Sequence, residues 1–311
     1  MRTPDGTPGP RASICVLGSA NMDLVALVDR APRLGETVTG RSYEQQPGGK
    51  GSNQSLAAAR AGADVRLVGA VGDDAFGATI REVLVADGVD TSGLAAVDVP
   101  TGTAHIVVDA QGANSIIVVP GANGTVTALT DEHRSAIASC DTLMLQLELP
   151  LPVVVAAAEY GRVCGSRVVL TPAPAVPLPE ELLKSVDLLV PNEHEAALLT
   201  GSPAPEDSAR ALLERGVSAV AVTLGARGVL YVDADQVVEE PSVPVQAVDT
   251  TAAGDTFVGC LAVALGEGRD LRESLRWASA AAALSVQRLG ASTSMPVRAD
   301  IDALHAGRAS C

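Results

Sequence analysis

The sequence predicts an α/β fold: a mostly parallel central sheet with helices on both faces, a three-layer α/β/α arrangement, plus a small second β-sheet. Three observations predict it. Short apolar runs alternate with helix-period segments along most of the 311 residues. Hydrophobic residues make up 47% of the chain and aromatics only 2%, so Ala, Val and Leu must build the core, which suits helices on parallel strands. Two stretches, about 23–48 and 101–124, break the alternation with strand-like, turn-punctuated sequence and read as a separate small sheet.

Taken in order, Ser13–Leu17 is a short apolar run ended by Gly18-Ser19 and predicts a buried first strand. Residues 51–61 are Ala-rich, follow a glycine cluster and predict a helix; 65–71 predict a strand and Ala75–Ala86 a helix. Residues 103–109 and 115–119 flank Gln111-Gly112 with β-formers, the pattern of a hairpin. Beyond it, strands at 142–147, 167–171, 188–190, 219–224 and 228–232 are interspersed with helices at 152–164, 193–199 and 209–215. Helices at 253–265 and 271–286 complete the pattern. The polar, Pro/Gly-rich residues 1–12 predict a disordered extension, and 13–311 a single domain with the discontinuous small sheet as its lid.

A net charge of −15 argues against nucleic-acid and anionic-membrane partners, whose phosphates such a field repels. It leaves room for a phosphorylated small ligand, because helix N-termini and backbone nests override net charge locally. The five cysteines (Cys15, Cys140, Cys164, Cys260 and Cys311) are odd in number and form no Cys-x-x-Cys pair, and the four histidines do not cluster. Reduced thiols, and no zinc or histidine-based metal site, are expected. No apolar run reaches signal-peptide or membrane-span length, so a cytoplasmic protein is expected.

Chemistry concentrates in a few short segments. In Val248-Asp249-Thr250-Thr251-Ala252-Ala253-Gly254-Asp255-Thr256-Phe257, small residues run into a strong helix pattern. Amides at a helix start lack partners and, with the positive end of the dipole, make an anion site. Ala252, Ala253 and Gly254 leave space for a phosphate. Asp255, in the first turn, either accepts a proton from an attacking hydroxyl or caps the helix.

In Pro47-Gly48-Gly49-Lys50-Gly51-Ser52-Asn53, the glycines permit close backbone approach, and Lys50 and Asn53 add polar side chains at a helix start. Lys50 is followed by Gly51, and Glu44 stands where a P-loop needs its first Gly, so a Walker A motif is rejected. An ordinary Gly-rich turn is the other reading. Asn21 and Asp23 follow the carboxyl end of the first strand, where open α/β sheets bind ligands. Their i, i+2 spacing suits vicinal sugar hydroxyls, or a turn cap. Glu148 ends the strand at 142–147, at the same carboxyl edge.

Asn192 and Glu195 lie one helical turn apart and share a face. The carboxylate either holds Mg²⁺ through water or merely favours the helix dipole. Thr223-Leu224-Gly225-Ala226-Arg227-Gly228 links two predicted strands, either beneath a nucleotide or as a plain turn.

Together these motifs resemble the ribokinase-like sugar-kinase family of the pfkB type, over about residues 13–304. Two signatures carry the resemblance: Gly-Gly-Lys-Gly-x-Asn near residue 50, and Asp-Thr-x-Ala-Ala-Gly-Asp-Thr-Phe near residue 255. The resemblance implies Asp255 as catalytic base, with Ala252, Ala253 and Gly254 as the anion hole. It implies sugar contacts from Asn21, Asp23, Gly49, Lys50, Asn53, Glu148 and Asp255. It implies ATP contacts from Asn192, Glu195, Thr223, Gly225, Gly228, Gly254 and Ser279, and indirect Mg²⁺ binding by Glu195. It places Asp249, Thr251, Ser285, Arg288, Gly290 and Ser294 around an activating K⁺. It also implies a homodimer through the β lid. The family often has Gly where Ala252 stands, and His105 occupies a lid-strand position where an aliphatic residue is common.

The expected reaction is ATP-dependent phosphorylation of D-ribose at O5, with deoxyribose, fructose or a nucleoside as alternative acceptors. A sugar-binding sensor without catalysis is disfavoured by Asp255, Gly254 and Glu195. A dinucleotide oxidoreductase is disfavoured because no Gly-x-Gly-x-x-Gly follows the first strand.

Overall fold

The computed structural model describes residues 11–309. The extension expected at 1–12 therefore lies outside the described residues except for Arg11 and Ala12; Ala12 is buried and its carbonyl accepts the Asp64 N–H at 2.9 Å. In chain order the strands are β1 (Ser13–Leu17), β2 (Asn21–Leu27), β3 (Ser42–Gly48), β4 (Asp64–Gly72), β5 (Leu94–Val97), β6 (Gly102–Val108), β7 (Asn114–Val119), β8 (Thr142–Leu145), β9 (Arg167–Leu170), β10 (Leu188–Leu189), β11 (Ala219–Thr223), β12 (Val229–Asp233) and β13 (Val237–Glu240). The α-helices are α1 (Lys50–Arg60), α2 (Ala75–Ala86), α3 (Asp131–Ala138), α4 (Leu151–Cys164), α5 (Glu180–Leu183), α6 (Glu193–Thr200), α7 (Pro205–Glu214), α8 (Ala253–Gly266), α9 (Leu271–Ser285) and α10 (Arg298–Ala309).

The main sheet has nine strands in the order β13-β12-β11-β10-β9-β8-β1-β4-β5. It is parallel from β5 to β11, and β12 and β13 add antiparallel pairs at one edge. Alternation along β1 sends Ile14 and Val16 into one core and Cys15 and Leu17 into the other. The first core packs α1, α8 and α9 on the sheet; the second packs α3, α4 and α7 on its opposite face. Both faces are covered, which is why these strands read as continuous apolar runs rather than alternating ones.

The small sheet has the order β3-β2-β6-β7, with β2 and β6 parallel and both outer pairs antiparallel. It comes from the two chain stretches that broke the α/β alternation in sequence. The helix expected at 209–215 starts earlier: Pro205 takes the first helical turn, where a missing N–H costs nothing.

The chain passes from β1 to β4 and β5 on one side, then returns to β8 on the other. That reversal makes β1 the point at which open sheets of this kind form a crevice beyond their carboxyl ends.

Candidate active site

A cavity of about 690 Å³ opens at this crevice, between the small sheet and the carboxyl ends of the central strands. The first residues of β2, directly after the turn that ends β1, supply Asn21 and Asp23; the start of α1 supplies Gly49, Lys50 and Asn53, and the loop after β8 supplies Glu148. Thr251, Ala252 and Asp255 enter from the start of α8, and Glu195 from α6. Ala104 and Ile106 of β6, with Ile116 and Val118 of β7, form an apolar wall. His105, between two of these, is exposed instead, and its Nε2 lies 3.1 Å from Thr103 Oγ1.

Close approach of backbones builds the crevice. Gly49 sits at φ 87°, and a Cβ on it would lie 2.8 Å from the Asn21 nitrogen. The start of α1 is thereby pressed against the β1–β2 turn, and the Ser52 N–H donates to the Ser19 carbonyl at 2.8 Å. Ser19 Oγ donates to Glu148 Oε2 at 2.5 Å, and the Lys50 N–H donates to the same oxygen at 3.0 Å. Glu148 is thus held at the positive end of α1. Asn123, which follows β7, donates from Nδ2 to Asn21 Oδ1 at 2.7 Å and accepts the Ala20 N–H at 3.0 Å, so it orients Asn21.

Asp255 lies in the first turn of α8 and is only 7% exposed. It does not cap the helix: Ala252 is the N-cap, in the left-handed region at φ 56°, without a side-chain cap. The Asp255 carboxylate instead accepts from Asn53 Nδ2 at 3.2 Å and from Gln54 Nε2 at 3.0 Å. Burial pushes its carboxyl up from the ordinary range, while the Lys50 ammonium and the two amides pull part of that back. Burial lowers the Lys50 ammonium, but Asp255, Glu148, Glu195 and Asp23 together outweigh it and leave it raised.

The anion hole expected from Ala252, Ala253 and Gly254 has fewer free amides in the structure, because the Ala253 N–H already donates to the Thr250 carbonyl at 3.2 Å. Gly254 and Asp255 occupy the first turn, where amides have no helical partner. A Cβ on Gly254 would meet nothing within 4 Å, so the backbone there faces open space.

The remaining sequence-selected residues fall in two neighbouring groups. Asn192 caps α6 and forms a reciprocal box with Glu195: Asn192 Oδ1 accepts the Glu195 N–H at 2.8 Å, and Glu195 Oε2 accepts the Asn192 N–H at 2.9 Å. Burial raises the Glu195 carboxyl despite that contact. Asn192 bridges to Thr223, and the turn from Gly225 to Gly228 follows; Gly228, at φ 106°, allows the Glu240 carbonyl within 2.1 Å of a would-be Cβ. Ser279 is buried on α9 and lines no part of the cavity.

Asp249 ties the second group. Its Oδ1 accepts the Thr251 N–H at 2.9 Å and hydroxyl at 2.6 Å, and its Oδ2 accepts the Gly290 N–H at 2.8 Å. The Arg288 N–H donates to the Ser285 carbonyl at 3.2 Å and the Ser294 hydroxyl to the Ala291 carbonyl at 2.9 Å, so the 285–294 segment is a compact turn against Asp249.

Four residues escaped the sequence reading: Ser19, Gln54, Asn123 and Gln146. Gln54 directly follows the Gly-Gly-Lys-Gly-x-Asn signature, and Ser19 lies inside the Gly18–Asp23 segment, so proximity to a motif was the available signal for those two. Asn123 and Gln146 carry none; only the folded chain brings them in.

The sequence pattern described as pfkB family carbohydrate kinase matches residues 11–298. Ribokinase of Bacillus subtilis is 44% identical over 294 residues, covering 94% of this chain and 99% of that protein. Deoxyribokinase of Salmonella typhi is 36% identical, covering 91% of this chain and 95% of that protein. The structure of Arabidopsis thaliana ribokinase complexed with ribose and ATP superposes with a TM-score of 0.90 at 36% identity, over 95% of this chain and 99% of that one. With a crevice of sugar-sized polar groups under a small sheet and these similarities over nearly its whole length, the chain belongs to the pfkB family of carbohydrate kinases.

Proposed function

We propose that this chain transfers the γ-phosphoryl of ATP to O5 of D-ribose, giving D-ribose 5-phosphate and ADP. One observation carries the reading: a buried carboxylate, Asp255, stands at a helix start inside a cavity that also holds Asn21, Asp23, Lys50, Asn53 and Glu148. Asn53 Oδ1 is buried without a hydrogen-bond partner, which leaves it free to accept from a sugar hydroxyl. The similarity to ribokinases over nearly full length supports the choice of sugar.

Phosphoryl transfer asks the protein mainly for positioning and charge stabilisation. Asp23, Asn21 and Gly49 bind the sugar, and Lys50 and Glu148 orient it. Asp255 takes the proton from the attacking hydroxyl; its raised carboxyl makes it a better base than an exposed aspartate. The amides at Ala252, Gly254 and Asp255 donate to the transferring group. The apolar wall of β6 and β7 closes as a lid and excludes water. Asn192, Thr223, Gly225, Gly228 and Ser279 are assigned to ATP.

Both implied cations fit the residues present. Glu195 keeps one carboxylate oxygen outside its capping box, and no group of three or more His, Cys, Asp or Glu among the described residues forms a metal cage. That suits Mg²⁺ held through water and phosphates, where it would neutralise phosphate charge. Asp249, Thr251, Ser285 and Ser294 carry side-chain oxygens, and Arg288 and Gly290 would contribute backbone carbonyls, the donor type that suits K⁺. A homodimer through the small sheet, whose β7 is exposed along its length, belongs to the same proposal. So does a cytoplasmic location: the four described cysteines are free thiols, and no described helix is long and apolar enough to cross a membrane.

A sugar panel read by ADP release, run in K⁺ and in Na⁺, tests the assignment. Ribose is expected to give the highest kcat/KM, with a further gain in K⁺. A clear preference for deoxyribose or fructose would replace the substrate. Asp255→Asn is expected to lower kcat by roughly 10²–10⁴-fold with sugar KM little changed; normal turnover in that variant refutes the mechanism.

A further inference from the structure

The amide of Gln54 has no part in the reaction as described, yet it is fully buried beside the reacting carboxylate. It lies on α1 and donates from Nε2 to Asp255 Oδ1 at 3.0 Å and to Thr171 Oγ1 at 3.1 Å. Its Oε1 accepts from Gln146 Nε2 at 2.7 Å. Gln146, one residue beyond β8, is only 1% exposed, and its own Oε1 has no hydrogen-bond partner. Opposite that oxygen stands Gly18, where a Cβ would lie 2.2 Å away.

Chemistry dictates the direction of this chain of amides. An ionised carboxylate only accepts hydrogen bonds. Gln54 must therefore turn its NH₂ toward Asp255, which turns its carbonyl toward Gln146. Gln146 must answer with its own NH₂, and its carbonyl is left facing Gly18, whose N–H is already given to the Val68 carbonyl at 3.2 Å. Flipping Gln146 would set two carbonyl oxygens against each other. A buried acceptor without a partner calls for an explanation. The explanation here is orientation: the orphaned oxygen is the far end of a chain whose near end must present a donor to Asp255.

We propose that Gln54 and Gln146 are positioning residues, an oriented pair of amides that holds the Asp255 carboxylate in its substrate-facing position, with Gln146 acting through Gln54. The proposal rests on Asp255 being the base. It gives α1 a second task besides supplying Lys50 and Asn53. It also links the carboxyl end of β8 to the chemistry by a route separate from Glu148.

The test is the pH dependence of kcat, in which bound sugar already engages Asp23. The charged groups facing Asp255 are Lys50 on α1, Glu148 beyond β8, Asp23 on β2 and Glu195 on α6, and the variants leave all of them in place. Gln54 is one of the groups that hold the Asp255 carboxyl down. Gln54→Met is therefore expected to move the acid limb up by about one pH unit and to lower plateau kcat by about tenfold, with sugar KM little changed. Gln146→Leu should act in the same direction and less strongly. The double variant should be no worse than Gln54→Met alone, because one residue works through the other.

A merely structural role predicts otherwise: lower thermal stability, additive losses and an unmoved acid limb. Either an unmoved limb in a folded Gln54→Met or additive losses in the double variant overturns the proposal. Should Gln54→Met fail to fold, Gln146→Leu alone decides, since it leaves Gln54 in place; a wild-type pH profile there overturns the proposal too. Asp255→Asn keeps the two ideas apart. Inactive Asp255→Asn with unmoved limbs in the glutamine variants sinks only the amide pair, while active Asp255→Asn sinks the base assignment beneath it.

Discussion

Asp23 is 8% exposed and shares its cavity with Glu148 and Asp255. Burial raises its carboxyl, the two neighbouring carboxylates raise it further, Lys50 opposes them, and the net position is about 7. A carboxyl that is higher folded than unfolded favours the folded state while protonated. That contribution is complete below the unfolded value near 4 and is lost as pH rises through about 7. Above neutrality the empty site therefore carries an uncompensated charge that sugar hydroxyls would satisfy. Asp23→Asn should stabilise the fold more at pH 8 than at pH 5, by a difference on the order of 1–4 kcal/mol, and should weaken ribose binding. Thermal unfolding at the two pH values reads this directly, and equal Tm changes at both would count against it. Such a trade of stability for function is usual where binding needs a polar group in a dry place.

The pairing of α1 with α8 decides whether the Asp255 carboxylate has partners. Gly259 is one turn beyond Asp255 on α8, and a Cβ on it would lie 2.8 Å from the Ala57 Cβ and 2.9 Å from the Gln54 carbonyl oxygen. Absence of a side chain lets the two helices approach closely enough for Asn53 and Gln54 to reach the carboxylate. At the other end of the contact, Gly51 takes Gly18 within 2.7 Å of its would-be Cβ and seats α1 on the turn after β1. Gly259→Ala should force α1 away, costing about 1–3 kcal/mol of stability and lengthening both contacts to Asp255. Chemical denaturation and kcat should fall together. A variant as stable and as active as the parent would show that the helices tolerate the extra methyl group and that this contact does not govern the site.

Across the whole molecule, the small sheet presents two faces. Its inner face gives Ala104, Ile106, Ile116 and Val118 to the cavity, while alternation turns Ile117 and Val119 outward, Ile117 at 68% exposure. β7 is also an edge strand, a position that natural proteins cover or protect. A second copy placed here would cover the edge and stiffen the lid over the sugar. Light scattering at moderate ionic strength should report a dimer, since salt screens the repulsion between chains of net charge −15. Ile117→Asp should give a monomer with a higher KM for ribose. A parent protein that is monomeric throughout removes the proposed dimer and leaves the chemistry untouched.

The layered fold and the two signature motifs were legible in the sequence, because buried parallel strands write continuous apolar runs and each motif is one contiguous run of small and polar residues at a helix start. Less was legible where elements are short or paired at an edge. β5 and β13 are four residues each, and β13 gains its place only by pairing with β12. Helix α10 owes its position to tertiary contacts, among them Ile301 in the core and Asp302, whose Oδ1 accepts the Trp277 indole N–H at 2.7 Å. In the site, residue types and their order came from sequence, and partnership came from folding. Spacing alone leaves Asp255 between capping and catalysis; the approach of α1 to α8 removes the cap, by occupying the carboxylate with amides 202 and 201 residues away in the chain, while its role as base belongs to the proposed function. The sequence predicts a nucleotide-side pair in Asn192 and Glu195; the structure shows the two satisfying each other in a capping box. The physical reason is range: turn chemistry and periodicity act over a few residues and are written locally, whereas the direction of a buried hydrogen bond depends on which distant donors the packed helices bring within 3 Å or so.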